Sequence, residues 1–138
     1  MKLIFSKGLN YIYINAGQYR VAMSDFFFRK SSYIYLGVAV VINCICWLLA
    51  VITQRSLGDS LAILHYNVIF GIDKIGAATS LYQLPLVGSA LIIGNFLISV
   101  LLVRKREQAP SHHLLIIAIV GNLMLLISTY LLYIINFS

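Results

Sequence analysis

Three stretches of the chain, Tyr33–Ile52, Pro85–Val103 and Leu114–Phe137, run for 20, 19 and 24 residues without a single Asp, Glu, Lys or Arg. At 1.5 Å per residue, a helix of about 20 residues matches the roughly 30 Å hydrocarbon core of a bilayer, so each stretch predicts a transmembrane helix. Composition excludes the soluble alternative. Hydrophobic residues make up 61% of the 138 and charged residues 10%, against about 45–50% and about 25% in an average soluble domain. Ten basic and four acidic side chains cannot coat a soluble fold of this size. The expected fold is an all-α integral membrane protein of three transmembrane helices.

These runs divide the chain into a cytoplasmic or interfacial amphipathic segment (1–32), a first span (33–52), an outer loop (53–84), a second span (85–103), a basic loop (104–113) and a third span (114–137). Lys2, Lys7, Arg20, Arg29 and Lys30 precede the first span, and Arg104, Lys105 and Arg106 follow the second. Only Arg55 and Lys74 lie between those spans, offset by Asp59 and Asp73. The positive-inside rule then places the N-terminus inside and the C-terminus outside, in the cytoplasmic membrane. Arg29, Lys30, Arg104, Lys105 and Arg106 are the expected contacts to anionic lipid. Nucleic-acid binding is not expected, because the basic residues do not form a projecting patch.

The first 32 residues are too interrupted to span and lack the apolar core of a cleavable signal, so one or two short interfacial helices fit them. Leu9–Ile14, with its Tyr-Ile-Tyr-Ile string, is alternatively extended. Phe26-Phe27-Phe28 before Arg29-Lys30 looks like a step at headgroup level. Tyr33, Tyr35, Trp47, Tyr130, Tyr133 and Phe137 sit where aromatic belts are expected. Pro110 and Ser111 offer a start signal for the third span, with Ser111 as its N-cap.

Each span carries an asparagine near its middle: Asn43, Asn95 and Asn122, the latter two preceded by Gly94 and Gly121. An amide in hydrocarbon must find a partner, and glycine lets helix backbones approach. The expectation is three polar helix–helix contacts at similar depth. The other reading is a polar layer lining a path for a small solute, which usually carries an ionisable group as well.

The outer loop contains LHYNVIFGID at 64–73. Ala62, Leu64, Tyr66, Val68, Phe70 and Ile72 alternate with His65, Asn67, Gly71 and Asp73, which suggests an extended segment with one apolar face. A helical stripe through Leu61, Leu64, His65, Val68 and Ile72 is the alternative. No second strand is evident in the loop, so the strand reading leaves an unpaired backbone and a docking surface of His65, Tyr66, Asn67, Phe70 and Asp73.

Catalytic signals are weak. His65 and Asp73 suit a base and its orienting carboxylate, but Ser56, Ser60 and Ser80 carry no nucleophile motif. Cys44 and Cys46 project to opposite sides of one helix, and His112-His113 lack further metal ligands. No enzyme, cofactor or metal site is expected. The His-Tyr-Asn and Phe-Gly-Ile-Asp strings between apolar spans resemble those of small uncharacterised three-span bacterial membrane proteins, over roughly residues 34–137. That resemblance implies no activity and transfers no catalytic residue. The expected role is that of a non-enzymatic accessory, assembly or scaffold partner. The rival is a subunit of a small oligomeric transporter or channel. The expected partners are the bilayer and either another protein or further copies of the chain.

Overall fold

The computed structural model describes residues 17–27, 30–67, 69, 71–104 and 108–137, with the backbone alone at 104 and 108–111. Its elements are a helix over 17–27 (α1), then α2 (Lys30–Leu57), strands β1 (Leu61–Asn67) and β2 (Gly71–Ala77), a 3-10 turn (Ala78–Tyr82), α3 (Gln83–Arg104) and α4 (Gln108–Phe137). Three helical stretches, Lys30–Leu57, Ala78–Val103 and His112–Phe137, are long and apolar enough to cross a membrane, with mean hydropathies of 2.5, 2.4 and 2.3 over 18 residues.

The helices overrun the uncharged stretches. Gln54 and Arg55 are good helix formers, and α2 continues through them until Gly58 adopts φ +59° and donates its N–H to Gln54 O at 2.9 Å. Glycine takes this left-handed cap without the Cβ penalty. At its other end α4 begins at Gln108, so Pro110 and Ser111 lie inside its first turns rather than marking its start. A first-turn proline costs little, because its missing N–H has no intrahelical acceptor there.

The bundle packs through small clusters rather than one broad core, and many apolar side chains of its long helices are exposed on its outer surface. Ala39, Ile92 and Ala118 join the three long helices. At one end Phe26 and Ala22, one turn apart on α1, bury among Val100, Val103 and Leu115. Phe26 meets Phe96 edge-on with ring centroids 5.3 Å apart. Phe26 is fully buried, while Phe27 is half-exposed. The packing also brings α1 to the end of the bundle where α3 stops at Arg104. Lys30 opens α2 as an exposed residue. The expected lipid contacts Arg29, Lys105 and Arg106, and residues 1–16, lie outside the described residues, as does the side chain of Arg104.

The opposite end carries a correction of more consequence. The loop holds its own partner strand: β1 pairs with β2 as an antiparallel hairpin, with Leu61 opposite Ala77, Ile63 opposite Ile75 and Asn67 opposite Gly71. The backbone of LHYN is therefore paired. Asn67 Oδ1 accepts the Ile69 N–H at 2.8 Å, and Gly71 follows at φ +77°. Such a side-chain turn suits Asn, and the positive φ requires glycine. The register slips twice, leaving Leu64 on β1 and Asp73 on β2 as extra residues. Bulges re-aim side chains, and these two break the two-residue rhythm. Ala62 and Leu64 turn toward Ala78, Leu81 and Leu132, while Tyr66 and Ile72 are left exposed.

Candidate functional site

Two groups of polar residues are built by this fold, one inside the bundle and one on the hairpin. The inner group begins with Asn43 on α2. Its Nδ2 donates to Asn122 Oδ1 on α4 and to Pro85 O on α3, each at 3.0 Å. Ser89 Oγ lies 2.9 Å from Asn43 Oδ1 and 3.0 Å from Pro85 O, so its one hydrogen serves either acceptor. Trp47 Nε1 donates to Ser89 Oγ at 3.1 Å. Asn122 Nδ2 donates to Ala118 O at 2.9 Å and, more weakly, to Gly88 O at 3.4 Å. Both amides are nearly saturated, and both residues are buried. A network in which each amide donor has an acceptor fastens the helices to one another.

Gly88 makes this meeting possible. A Cβ there would lie 2.3 Å from Asn43 Nδ2 and 2.5 Å from Asn122 Oδ1. Gly121 also marks an approach, 3.3 Å from Leu91 Cδ1, whereas a Cβ on Gly94 would meet nothing within 4 Å. Asn95 stands outside the network: it is half-buried, and its Nδ2 returns to Leu91 O on its own helix at 2.8 Å. The expected three-way layer is thus a two-way one. The reason lies in the helix ends. Asn43 and Asn122 stand 13 and 14 residues from the starts of α2 and α4, whereas Asn95 stands nine from the end of α3. Along α3, Gly88 rather than Asn95 lies level with the other two amides, about 10 Å away at 1.5 Å per residue.

Further bonds continue this seam toward the hairpin. Trp47 stacks on Tyr82 with centroids 5.9 Å apart, and Tyr82 Oη donates to Gln54 Oε1 at 3.0 Å. Trp47 thus ties α2 to α3 through Ser89 and to the 3-10 turn through Tyr82. Cys46 is buried, with Sγ 3.0 Å from Thr129 Oγ1, while Cys44 is exposed. At the α1 end, Ser32 Oγ and His112 Nδ1 are buried without a hydrogen-bond partner among the described residues, and the His112 ring meets Tyr35 edge-on.

On the hairpin, the bulge at Asp73 brings its Oδ1 to His65 Nδ1 at 2.5 Å. Both side chains are well exposed, at 61% and 43%. An exposed contact of this kind contributes about 0–1 kcal/mol. Among the described residues no hydroxyl or thiol is hydrogen-bonded to His65, so the pair is an oriented imidazole without a nucleophile. No three His, Cys, Asp or Glu come together as metal ligands among the described residues. Of the expected docking residues, His65, Tyr66 and Asp73 are exposed, Asn67 is half-buried, and Phe70 lies outside the described residues.

Sequence reasoning passed over Asn136 altogether. Near the end of α4, its Oδ1 accepts the Ile63 N–H at 2.9 Å, and its Nδ2 donates to Ile63 O at 3.0 Å and to Leu132 O at 2.8 Å. The side-chain amide imitates a neighbouring strand and pins the free edge of β1 to the bundle. Comparison with protein-family models, curated proteins and solved structures finds no match to the chain.

Proposed function

We propose that the chain is a multi-pass protein of the cytoplasmic membrane, N-terminus inside and C-terminus outside, that serves as a non-enzymatic accessory or assembly partner. The observation that carries this reading is the seating of the hairpin. Asn136 fixes one edge and Ala62, Leu64 and Leu81 fix one face, while Tyr66, Ile69, Ile72 and Ile75 stay exposed, Ile69 at 82%. A small surface held rigidly above a bundle gives up little ordering entropy when a partner docks. The orientation rests on charge: α1, Lys30 and the end of α3 gather at one end of the bundle, and the other end carries few basic residues.

The rival reading, a subunit of an oligomeric transporter or channel, draws support from Asn95, whose half-buried amide bonds only its own helix among the described residues. A path through one copy finds no support in the direct contact of Asn43 with Asn122. Two measurements separate the readings. A photo-crosslinking residue at Ile69 in native membranes should capture one discrete protein, while the same residue at the exposed Met124 on α4 should capture lipid alone. Proteoliposomes holding the purified chain should release no small polar solute. Solute flux without an adduct at Ile69 would replace the accessory reading by the channel.

A further inference from the structure

Where the hairpin meets the bundle, a cavity of about 100 Å³ opens among Lys74 of β2, Ser80 of the 3-10 turn and Gln83 at the start of α3, against the leucines Leu64, Leu84 and Leu132. Each of its polar lining residues can donate a hydrogen bond: Lys74 from its ammonium, Ser80 from its hydroxyl and Gln83 from its side-chain amide. None of the three side chains has a hydrogen-bond or ion-pair partner among the described residues. The neighbouring carboxylate, Asp73, is turned onto His65 by its bulge, so the Lys74 charge is left without a counter-ion there.

We propose that this cavity holds a phosphate group, presented by the headgroup of a membrane phospholipid. Three donors and one positive charge match a singly charged phosphodiester, whose free oxygens accept charge-assisted hydrogen bonds. A cavity of this size has room for a tetrahedral phosphate group. Depth agrees with the lipid source. Gln83 precedes Arg104 by 21 residues of α3, about 32 Å, which puts the two at opposite surfaces of a hydrocarbon core roughly 30 Å thick. Leu86 and Val87 of α3 and Leu131 of α4, helices that both line the cavity, are exposed apolar side chains at the same end of the bundle and can meet acyl chains. The site requires a membrane and is independent of any protein partner at the hairpin.

The test uses the full chain in maltoside micelles, with retained lipid counted by native mass spectrometry during titration. The probes are short-chain phosphatidylglycerol, the diacylglycerol with the same chains, and inorganic phosphate. One phosphatidylglycerol should bind per chain, diacylglycerol should not be retained, and inorganic phosphate at equal concentration should not displace the lipid. Lys74→Gln should weaken binding about tenfold and Ser80→Ala by a smaller factor, in line with one charged and one neutral hydrogen bond. Arg55→Gln removes the same charge at the same end of the bundle and should leave the affinity unchanged. Lys74 is exposed and unbonded, so its variant should keep the wild-type helical spectrum and melting midpoint. Equal binding by Lys74→Gln and wild type overturns the site. An equal loss in Arg55→Gln reduces it to diffuse attraction and also overturns it. Displacement by inorganic phosphate overturns the lipid source.

Discussion

Asn136 brackets the backbone of Ile63, accepting from its N–H at 2.9 Å and donating to its carbonyl at 3.0 Å, across 73 residues of sequence. The contact answers a physical demand. A two-stranded hairpin is marginal alone, and the outer edge of β1 would otherwise present unpaired groups for another strand. Asn136→Ala should cost about 1–3 kcal/mol, since it orphans both polar groups of Ile63. Hydrogen exchange gives the sharper readout: the Ile63 amide should lose protection while amides in the middle of α2 keep theirs. Asn136→Asp keeps an acceptor for the N–H but sets a carboxylate against Ile63 O, and should be no better than alanine. Unchanged protection at Ile63 would refute the clamp.

Two glycines of the same helix should respond in opposite ways to one methyl group. Gly88→Ala drives a Cβ into the Asn43–Asn122 hydrogen bond, whereas Gly94→Ala enters open space. Overpacking of this kind typically costs 1–3 kcal/mol, so the Gly88 variant should melt earlier in detergent by about that amount. Gly94→Ala should be neutral or slightly stabilising, because alanine is the better helix former. Equal melting of the two variants would mean that Gly88 is not at the crossing.

The three asparagines divide in the same way. Asn43→Leu or Asn122→Leu should cost roughly 0.6–2 kcal/mol, the range of polar contacts between helices in membranes. The double variant should cost less than the sum of the singles, since they share one bond. Asn95→Leu should leave the unfolding of a single copy unchanged. A drop in oligomer size for that variant, read by light scattering, would favour lateral contact between copies through Asn95.

Those asparagines also show what was legible beforehand. Length and absence of charge expose each span, because crossing hydrocarbon admits little else. Gly-Asn occurs on both α3 and α4, however, and only Asn122 reaches a neighbouring helix. Rotation and depth decide that, and both depend on helix ends that uncharged runs understate. Gly88 and Ser89 sit in an unremarkable apolar string, and their role appears only when Asn43 lies against them. The second strand was hidden for a related reason. Gly71–Ala77 carries Asp73, Lys74 and two glycines, and the bulge at Asp73 sets Ile72 and Ile75 three apart instead of two. The one local signal was Asn67 four residues before Gly71, a spacing that suits a side-chain turn closed by glycine.

The two cysteines provide a direct test of whether the bundle is closed. Cys44 and Cys46 are two residues apart on α2, yet Cys44 is exposed and Cys46 is fully buried against Thr129. With α2 crossing a membrane, the exposed face of Cys44 meets lipid. A charged maleimide added to both sides of intact membranes should therefore label neither thiol. A small apolar, membrane-permeant thiol reagent should label Cys44 and spare Cys46 until the bundle unfolds. Cys44→Ser should abolish labelling in the folded state, and Thr129→Val should leave Cys46 protected, because packing rather than the 3.0 Å contact excludes the reagent. Labelling of Cys46 by the charged maleimide would reveal water beside Thr129, about two turns beyond Asn122 on α4. The closed asparagine layer, and the accessory role that leans on it, would then give way to an aqueous path.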